Sequence, residues 1–320
     1  MSTLKNRVLE ILELNRGRSV SGSAAAEQLG VTRSAVWKAV EALRREGYVI
    51  ESATNSGYML SRENDKLSAE GIRVFLSESR RKMRIICLDE TDSTNSEAKR
   101  ITAAEKEPLL IAANSQTAGR GRMGRSFYSP GDTGLYMTLA LDTGERVEDA
   151  VKLTCAASVA VVRAIEELTD VRPGIKWVND VFVGDKKVCG ILTEGLFDLE
   201  TGRMARVLVG IGINVSTEVF PPGIHAASLN CVRLKRNRLA ARVTDELMDI
   251  TEGKKDWLDC YRARSVVIGR DITYVKNGIS VSARAIGVEQ DGGLLVINEN
   301  NERSVLKSGE ISVRLEDSRS

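Results

Sequence analysis

Gly119-Arg120-Gly121-Arg122-Met123-Gly124-Arg125 sets three glycines and three arginines in seven residues. Glycine lets backbone approach a ligand closely, and each guanidinium presents a fixed fork of donors to carboxylate or phosphate, so the alternation suits an anion clamp. A basic, solvated turn would use the same residues. The spacing Gly119-x-Gly121-x-x-Gly124 also satisfies the GxGxxG fingerprint, which requires a helix directly after the loop inside a βαβ unit. The flanks decide between these. LLIAANSQTA (109–118) reads as a strand leading in and LYMTLAL (135–141) as a buried strand leading out, with SFYSPG (126–131) as loop between them. The loop therefore joins two strands, and a doubly wound dinucleotide fold is excluded. No P-loop, GxxxxGK followed by Ser or Thr, occurs either.

Upstream, RIICLDE (84–90) is a short apolar strand, and Thr91-Asp92-Ser93-Thr94-Asn95-Ser96-Glu97 leads into a helix over 95–105. Thr94 and Glu97 stand at capping-box spacing, and the additional hydroxyl and amide of Ser93 and Asn95 suit a small polar or anionic ligand at the helix start. Downstream, residues 147–168 predict a long buried helix. KWVNDVFV (176–183) reads as one strand, Gly184 to Lys187 as a hairpin turn, and VCGILTE (188–194) as its partner. A second hairpin turns near Thr201-Gly202 into ARVLVGIGINV (205–215), whose glycines mark close approach and whose end carries Asn214. The proline-bearing stretch 216–231 is expected as a lid over the sheet, and 237–264 as helix.

Toward the amino terminus, the spacing predicts helices over 4–14, 21–29 and 33–46, the last capped by Thr32 and ended at Gly47. YVIESATNSGYMLS (48–61) follows as two strands turning at Asn55-Ser56-Gly57. Helix-turn-helix plus wing resembles a DNA-binding domain that places its third helix in the major groove. The same topology serves modules that only dimerise or regulate. Trp37, on that helix, fits either the core or a contact surface. Residues 63–66 form a polar joint, after which Ser68 to Ser77 reads as helix. At the carboxyl end, Asn277-Gly278 and Asp291-Gly292-Gly293 are hairpin turns in a β-meander, expected as a small barrel over 268–320.

The chain of 320 residues is 42% hydrophobic, enough for two or three domains. Its 46 basic and 44 acidic residues nearly cancel, so any basic patch must be local. Five cysteines without a CxxC pair suggest reduced thiols, and no signal peptide or bilayer-length apolar run is present; a cytoplasmic protein without membrane contact is expected. The single histidine, His225, removes any multi-histidine metal site, and a Ser-His-Asp triad unless His225 is its base. Catalysis then falls to Arg, Lys and carboxylates.

Five motifs in order, DSTN (92–95), GRGRMGR (119–125), KWVND (176–180), the Lys187 to Gly190 hairpin and GIGIN (210–214), together resemble the biotin–protein ligases. With the winged helix in front, the chain resembles the bifunctional type that also represses biotin genes. The resemblance covers the whole chain. It implies an α+β multidomain protein: a winged helix-turn-helix DNA-binding domain (1–65), a catalytic domain with a class II synthetase-like mixed sheet and helices (66–267), and an SH3-like β-barrel (268–320). The implied reaction joins biotin to ATP as biotinyl-5′-adenylate, then passes biotin to a lysine of a biotin carboxyl carrier domain.

By the same resemblance, biotin is held by Ser93, Thr94, Asn95, Gln116, Gly119, Arg120, Gly121, Arg122 and Lys187. ATP is held by Arg122, Phe127, Lys176, Asn179 and Asn214, with Mg²⁺ carried on its phosphates rather than in a protein metal site. Arg122, Lys187 and Asp180 are the expected catalytic groups, Asp180 orienting or deprotonating the incoming lysine amine. Cations and Mg²⁺ suit this chemistry because bringing a carboxylate to a triphosphate juxtaposes like charges. Thr32, Arg33, Ser34, Trp37 and Lys38 are the expected contacts to operator DNA, bound by a homodimer that the adenylate promotes. The sequence departs from the family pattern at Val178, where proline is usual, at Met123, where arginine is common, and at Phe127-Tyr128, where tryptophan-phenylalanine is frequent. A lipoate ligase relative, or a regulator whose central domain only senses a metabolite, are the competing readings.

Overall fold

A computed structural model describes residues 3–53, 57–102, 107–142, 150–197, 204–231, 234–276, 279–307 and 311–313. The turns expected at Asn55-Ser56, Thr201-Gly202 and Asn277-Gly278, the start of the helix at 147–149 and the end of that at 103–105 lie outside the described residues.

Three helices begin at hydroxyl caps, as the sequence requires. Thr3 caps α1 (Leu4–Leu14), Ser21 caps α2 (Gly22–Leu29), and the Thr32 hydroxyl accepts the Ala35 N–H at 3.2 Å to start α3 (Arg33–Arg45). β1 (Ile50–Ala53) and β2 (Gly57–Leu60) pair antiparallel as the wing. The helical spacing of Val8, Leu12, Val36, Val40 and Leu43 gathers these residues, with Leu60, into a core separate from the rest. Trp37 is not in it; the residue is 51% exposed.

The joint at 63–66 is tied down rather than slack. The Asn64 side chain accepts the Val49 N–H at 3.1 Å, and the Asp65 carboxylate receives both the backbone N–H of Arg236 at 2.9 Å and its Nε at 3.1 Å. Beyond it, Ser68 caps α4 (Ala69–Arg73), shorter than the helix expected to Ser77.

The central sheet is built from β3 (Arg84–Thr91), then, across α5 (Thr94–Thr102), β4 (Leu109–Gln116) and β5 (Gly134–Leu141). After α6 (Ala150–Leu168) come β6 (Gly174–Lys176), β7 (Asp180–Val183), β8 (Lys186–Phe197) and β9 (Met204–Asn214). The order is β3-β4-β5-β9-β8-β7-β6, with only β3 and β4 parallel. Alternation along β4 sends Leu109 and Ile111 to the α5 side and Leu110 and Ala112 to the main core, where α6 packs. The segment 176–183, expected as one strand, is a hairpin instead: Lys176 pairs with Asp180, and Trp177, Val178 and Asn179 form its turn, with a cis Trp177–Val178 bond. Helix over 237–264 is likewise divided, into α7 (Arg236–Thr251) and α8 (Leu258–Arg264), with Gly253 at φ 73° between them.

The last strands, β10 (Asp271–Lys276), β11 (Ile279–Val288), β12 (Leu294–Ile297), β13 (Arg303–Leu306) and β14 (Ile311–Val313), are antiparallel in the order β13-β12-β11-β10-β14. Among the described residues this sheet is open, with β13 and β14 outermost, rather than the closed barrel expected. Its apolar face, including Ile272, Ala285, Leu294 and Val296, belongs to the main core, and the Trp177 indole donates to Gly292 O at 2.9 Å. Among the described residues no helix is long and apolar enough to cross a membrane.

Candidate active site

The glycine-arginine loop folds back on itself. Phe127 N–H donates to Gly119 O at 2.8 Å, Gly121 N–H to Arg125 O at 2.7 Å, and Arg120 bridges Ser126. One 3₁₀ turn, Arg122–Gly124, makes the tip. The loop's base is fastened to the turn before α5, with Thr117 and Ala118 N–H donating to Thr91 O and Asp92 O, both at 2.9 Å. As β4 and β5 are antiparallel, exclusion of a dinucleotide fold holds.

Beneath the loop lies a cavity of about 340 Å³. Its floor is the register of β8 and β9, where Gly190 pairs with Gly212. These glycines make room: a Cβ on Gly212 would sit 2.6 Å from the Phe127 ring, and one on Gly210 would sit 2.2 Å from Asn95 Oδ1. Phe127 also packs edge-on to Tyr136, with ring centroids 6.3 Å apart.

One wall is neutral and polar: Ser93, Thr94, Asn95 and Gln116. Gln116 Oε1 accepts the Thr94 N–H at 2.9 Å and its hydroxyl at 3.2 Å, while Gln116 Nε2 donates to Ser129 Oγ at 2.9 Å. The expected capping box is therefore not made. α5 begins at Thr94 itself, Glu97 is bound by Arg100 at 2.6 Å, and Asp92 accepts the Ser93 N–H at 2.7 Å. The Arg100 guanidinium beside Asp92 holds that carboxyl well below the usual carboxylate range.

The other wall is cationic. Arg120, Arg122, Arg125, Lys176 and Lys187 line the cavity against one carboxylate, Asp180. Lys187 Nζ lies 2.7 Å from Asp180 Oδ1, which also accepts Asn179 Nδ2 at 3.0 Å. Arg122 donates to Asn179 Oδ1 at 3.2 Å, linking the loop tip to the Trp177–Asn179 turn. Lys176 Nζ stands 5.8 Å from the centre of the Phe182 ring. Such a cavity has a neutral end for a polar head and a positive end for anions.

The structure thus brings together Ser93, Thr94, Asn95, Gln116, Arg120, Gly121, Arg122, Phe127, Lys176, Asn179, Asp180 and Lys187. Two expected residues do not line the cavity. Gly119 lies behind it, where a Cβ would come 2.4 Å from Phe127 O, and the Asn214 amide is spent on Ala227 O at 3.1 Å. The stretch 216–231, expected as a lid, runs beside the strand ends; Ala227 N–H donates to Lys187 O at 2.9 Å, and none of its residues lines the cavity. Thr32, Arg33, Ser34, Trp37 and Lys38 form a separate exposed face on α3.

Two residues that hold the cavity wall from behind, without lining the cavity, were not anticipated. Thr138, fully buried on β5, donates to Asn95 Oδ1 at 2.6 Å and lies 2.8 Å from the Thr94 hydroxyl. Glu194 on β8 accepts Asn95 Nδ2 and Lys99 Nζ, each at 2.8 Å, and pairs with Arg120. Burial works to raise the Glu194 carboxyl, and hydrogen bonds from Lys99, Asn95 and Arg120 override it, holding it below the usual range. Strand alternation alone marks neither residue, because their partners lie far away in sequence.

Residues 84–214 match the biotin/lipoate A/B protein ligase family, and residues 5–59 match a helix-turn-helix domain. The chain is 32% identical over 314 residues to the bifunctional ligase/repressor BirA of Bacillus subtilis, covering 94% of this chain and 95% of that one. It is 30% identical over 240 residues to a biotin–[acetyl-CoA-carboxylase] ligase of Mycobacterium tuberculosis, covering 69% and 86% respectively. The biotin protein ligase of Aquifex aeolicus, solved in complex with biotin and ATP, superposes with a TM-score of 0.60 at 28% identity, covering 72% of this chain and 98% of that one. Similarity to a ligase/repressor at 32% identity over nearly the full length, on a sheet whose motifs converge on one cavity, means that this chain belongs to the biotin/lipoate A/B protein ligase family, in the form preceded by a helix-turn-helix domain.

Proposed function

We propose that the cavity activates biotin with ATP to biotinyl-5′-adenylate and that the protein transfers biotin to a lysine of a carboxyl carrier domain. The observation that carries this reading is the junction, in one cavity, of a neutral hydrogen-bonding wall and a cationic wall. Ser93, Thr94 and Gln116 offer hydroxyl and amide groups suited to a ureido ring. Arg120, Arg122 and Lys187 offer cationic donors to a carboxylate and an α-phosphate, and their charge offsets the repulsion that resists bond formation. Phe127 covers the glycine floor beside adenine, and Lys176 and Asn179 serve the nucleotide. Asn214 acts on it only indirectly, by fixing the loop at Ala227.

On this reading Mg²⁺ enters with the phosphates of ATP and offsets their charge. Asp180, paired with Lys187, orients or deprotonates the incoming amine in the second step.

The exposed Thr32–Lys38 face suits operator DNA, making the protein a biotin-responsive repressor that works as a homodimer when adenylate is bound. On this reading the chain divides at about 65 and 267, the final sheet is of the SH3-like type, and the protein works in the cytoplasm.

The test is biotin- and ATP-dependent pyrophosphate exchange, followed by transfer to a carrier domain. Activity with biotin but not lipoate, lost in Lys187→Ala and Arg122→Ala, is expected. Exchange absent from the wild-type chain would leave a sensor, and exchange with lipoate instead would change the substrate. Gel filtration with biotin and ATP should show a dimer, and an unchanged mass at micromolar protein would remove that part.

A further inference from the structure

Glu194 stands between two elements that the ligand chemistry uses. It projects from β8, inside the sheet, toward the start of α5 and the glycine-arginine loop together. Its Oε1 accepts Lys99 Nζ from α5 at 2.8 Å, and its Oε2 accepts Asn95 Nδ2 at 2.8 Å and pairs with the Arg120 guanidinium. The other Asn95 donor bond runs to Leu192 O at 3.2 Å, and Asn95 Oδ1 accepts Thr138. Both donors of Asn95 are thus committed within the protein, and Glu194 fixes which way its amide points.

We propose that Glu194 is a positioning residue for the ligand site, anchoring Arg120 of the glycine-arginine loop to the start of α5 and so setting where this guanidinium meets an anionic ligand. The inference rests on the reading of the cavity as a biotin and ATP site. An arginine between two glycines has a long side chain on a pliant backbone, and its freedom must be lost before it can bind an anion well. A carboxylate on a rigid strand removes that freedom beforehand. A guanidinium carries five N–H donors, so pairing with Glu194 leaves others for a ligand. Lys99 in turn holds the carboxylate from its far side.

Pyrophosphate exchange by the full chain, with biotin varied, tests this. Glu194→Gln should raise the KM for biotin about tenfold while kcat changes less than about threefold, and the KM effect should shrink below about twofold when Arg120 is already Ala. A merely structural role would produce the same fold-change in both backgrounds, and that result overturns the proposal. If Glu194→Gln does not fold, Lys99→Met decides: it should raise KM about threefold with Arg120 present and not at all in Arg120→Ala, whereas an unchanged KM in both overturns the proposal. A wild-type chain without biotin-dependent exchange would instead remove the functional reading, and this inference with it.

Discussion

At the residue scale, the neutral wall depends on a hydroxyl with no access to solvent. Thr138 is the donor that Asn95 Oδ1 accepts, so Thr138→Val keeps the shape but leaves a buried acceptor without its partner. A loss of about 1–3 kcal/mol is expected in urea unfolding, with a higher KM for biotin. A variant as stable as the wild type would mean that the hydroxyl does not support the site. Glu194 gives a pH signature. Its folded-state pKa is lowered, so its stabilising contribution is complete above the ordinary glutamate range and is lost as pH falls through the folded value. The Tm gap between wild type and Glu194→Gln should therefore be wider near about pH 7 than near about pH 3. An equal gap at both would show that the charge contributes nothing. Arg120, Arg122 and Lys187 were legible because glycine-arginine alternation and a lysine beside a hairpin stand out locally. Glu194 was not, since its meaning depends on partners 74 and 95 residues away.

At the scale of elements, α3 separates two jobs along one helix. Val36, Ala39, Val40 and Leu43 face inward, whereas Arg33, Ser34, Trp37 and Lys38 face outward. Trp37→Ala should thus change stability by less than about 0.5 kcal/mol while weakening operator binding. Thr32→Ala removes the cap and should cost about 1 kcal/mol. Chemical denaturation and salt-dependent DNA titration separate the two effects; a Trp37 variant that unfolds early would return the ring to the core. Caps and glycine stops made these helices readable. The KWVND segment was harder, because Trp177 and Val178 are strand-forming, apolar residues that are buried either way, so pattern cannot distinguish a continuous strand from the turn of a hairpin. The same blindness joined α7 to α8, where the breaks were Gly253 with its positive φ and Asp256, whose carboxylate accepts the Asp259 N–H at 3.2 Å.

At the scale of the whole molecule, Arg236 is the junction. It is 2% exposed, and its guanidinium donates to Asp65 Oδ2 at 3.1 Å, to Asp65 O at 2.7 Å, to Asn114 Oδ1 at 2.7 Å and to Gly134 O at 3.2 Å. One side chain thereby ties the joint after the wing to the adjoining ends of β4 and β5. Asn114 lies two residues before Gln116 of the cavity wall. Arg236→Met should cost about 1–3 kcal/mol in urea unfolding, because Asp65, Asn114 and Gly134 lose their donor. A loss below about 1 kcal/mol would show that solvent takes over the bonds.

The arrangement bears on how separable the parts of this protein are. Cutting the chain ahead of Lys66 would remove Asp65, which accepts three of the Arg236 hydrogen bonds, and leave the buried cation with the exposed Asp132 carboxylate, 3.8 Å away, as its charge partner. Shortening this protein is therefore not subtraction of a reader from an otherwise intact catalyst. A chain starting at Lys66 should unfold at lower urea than the full protein, and Arg236→Met should narrow that gap; an equal gap would show that solvent satisfies the guanidinium.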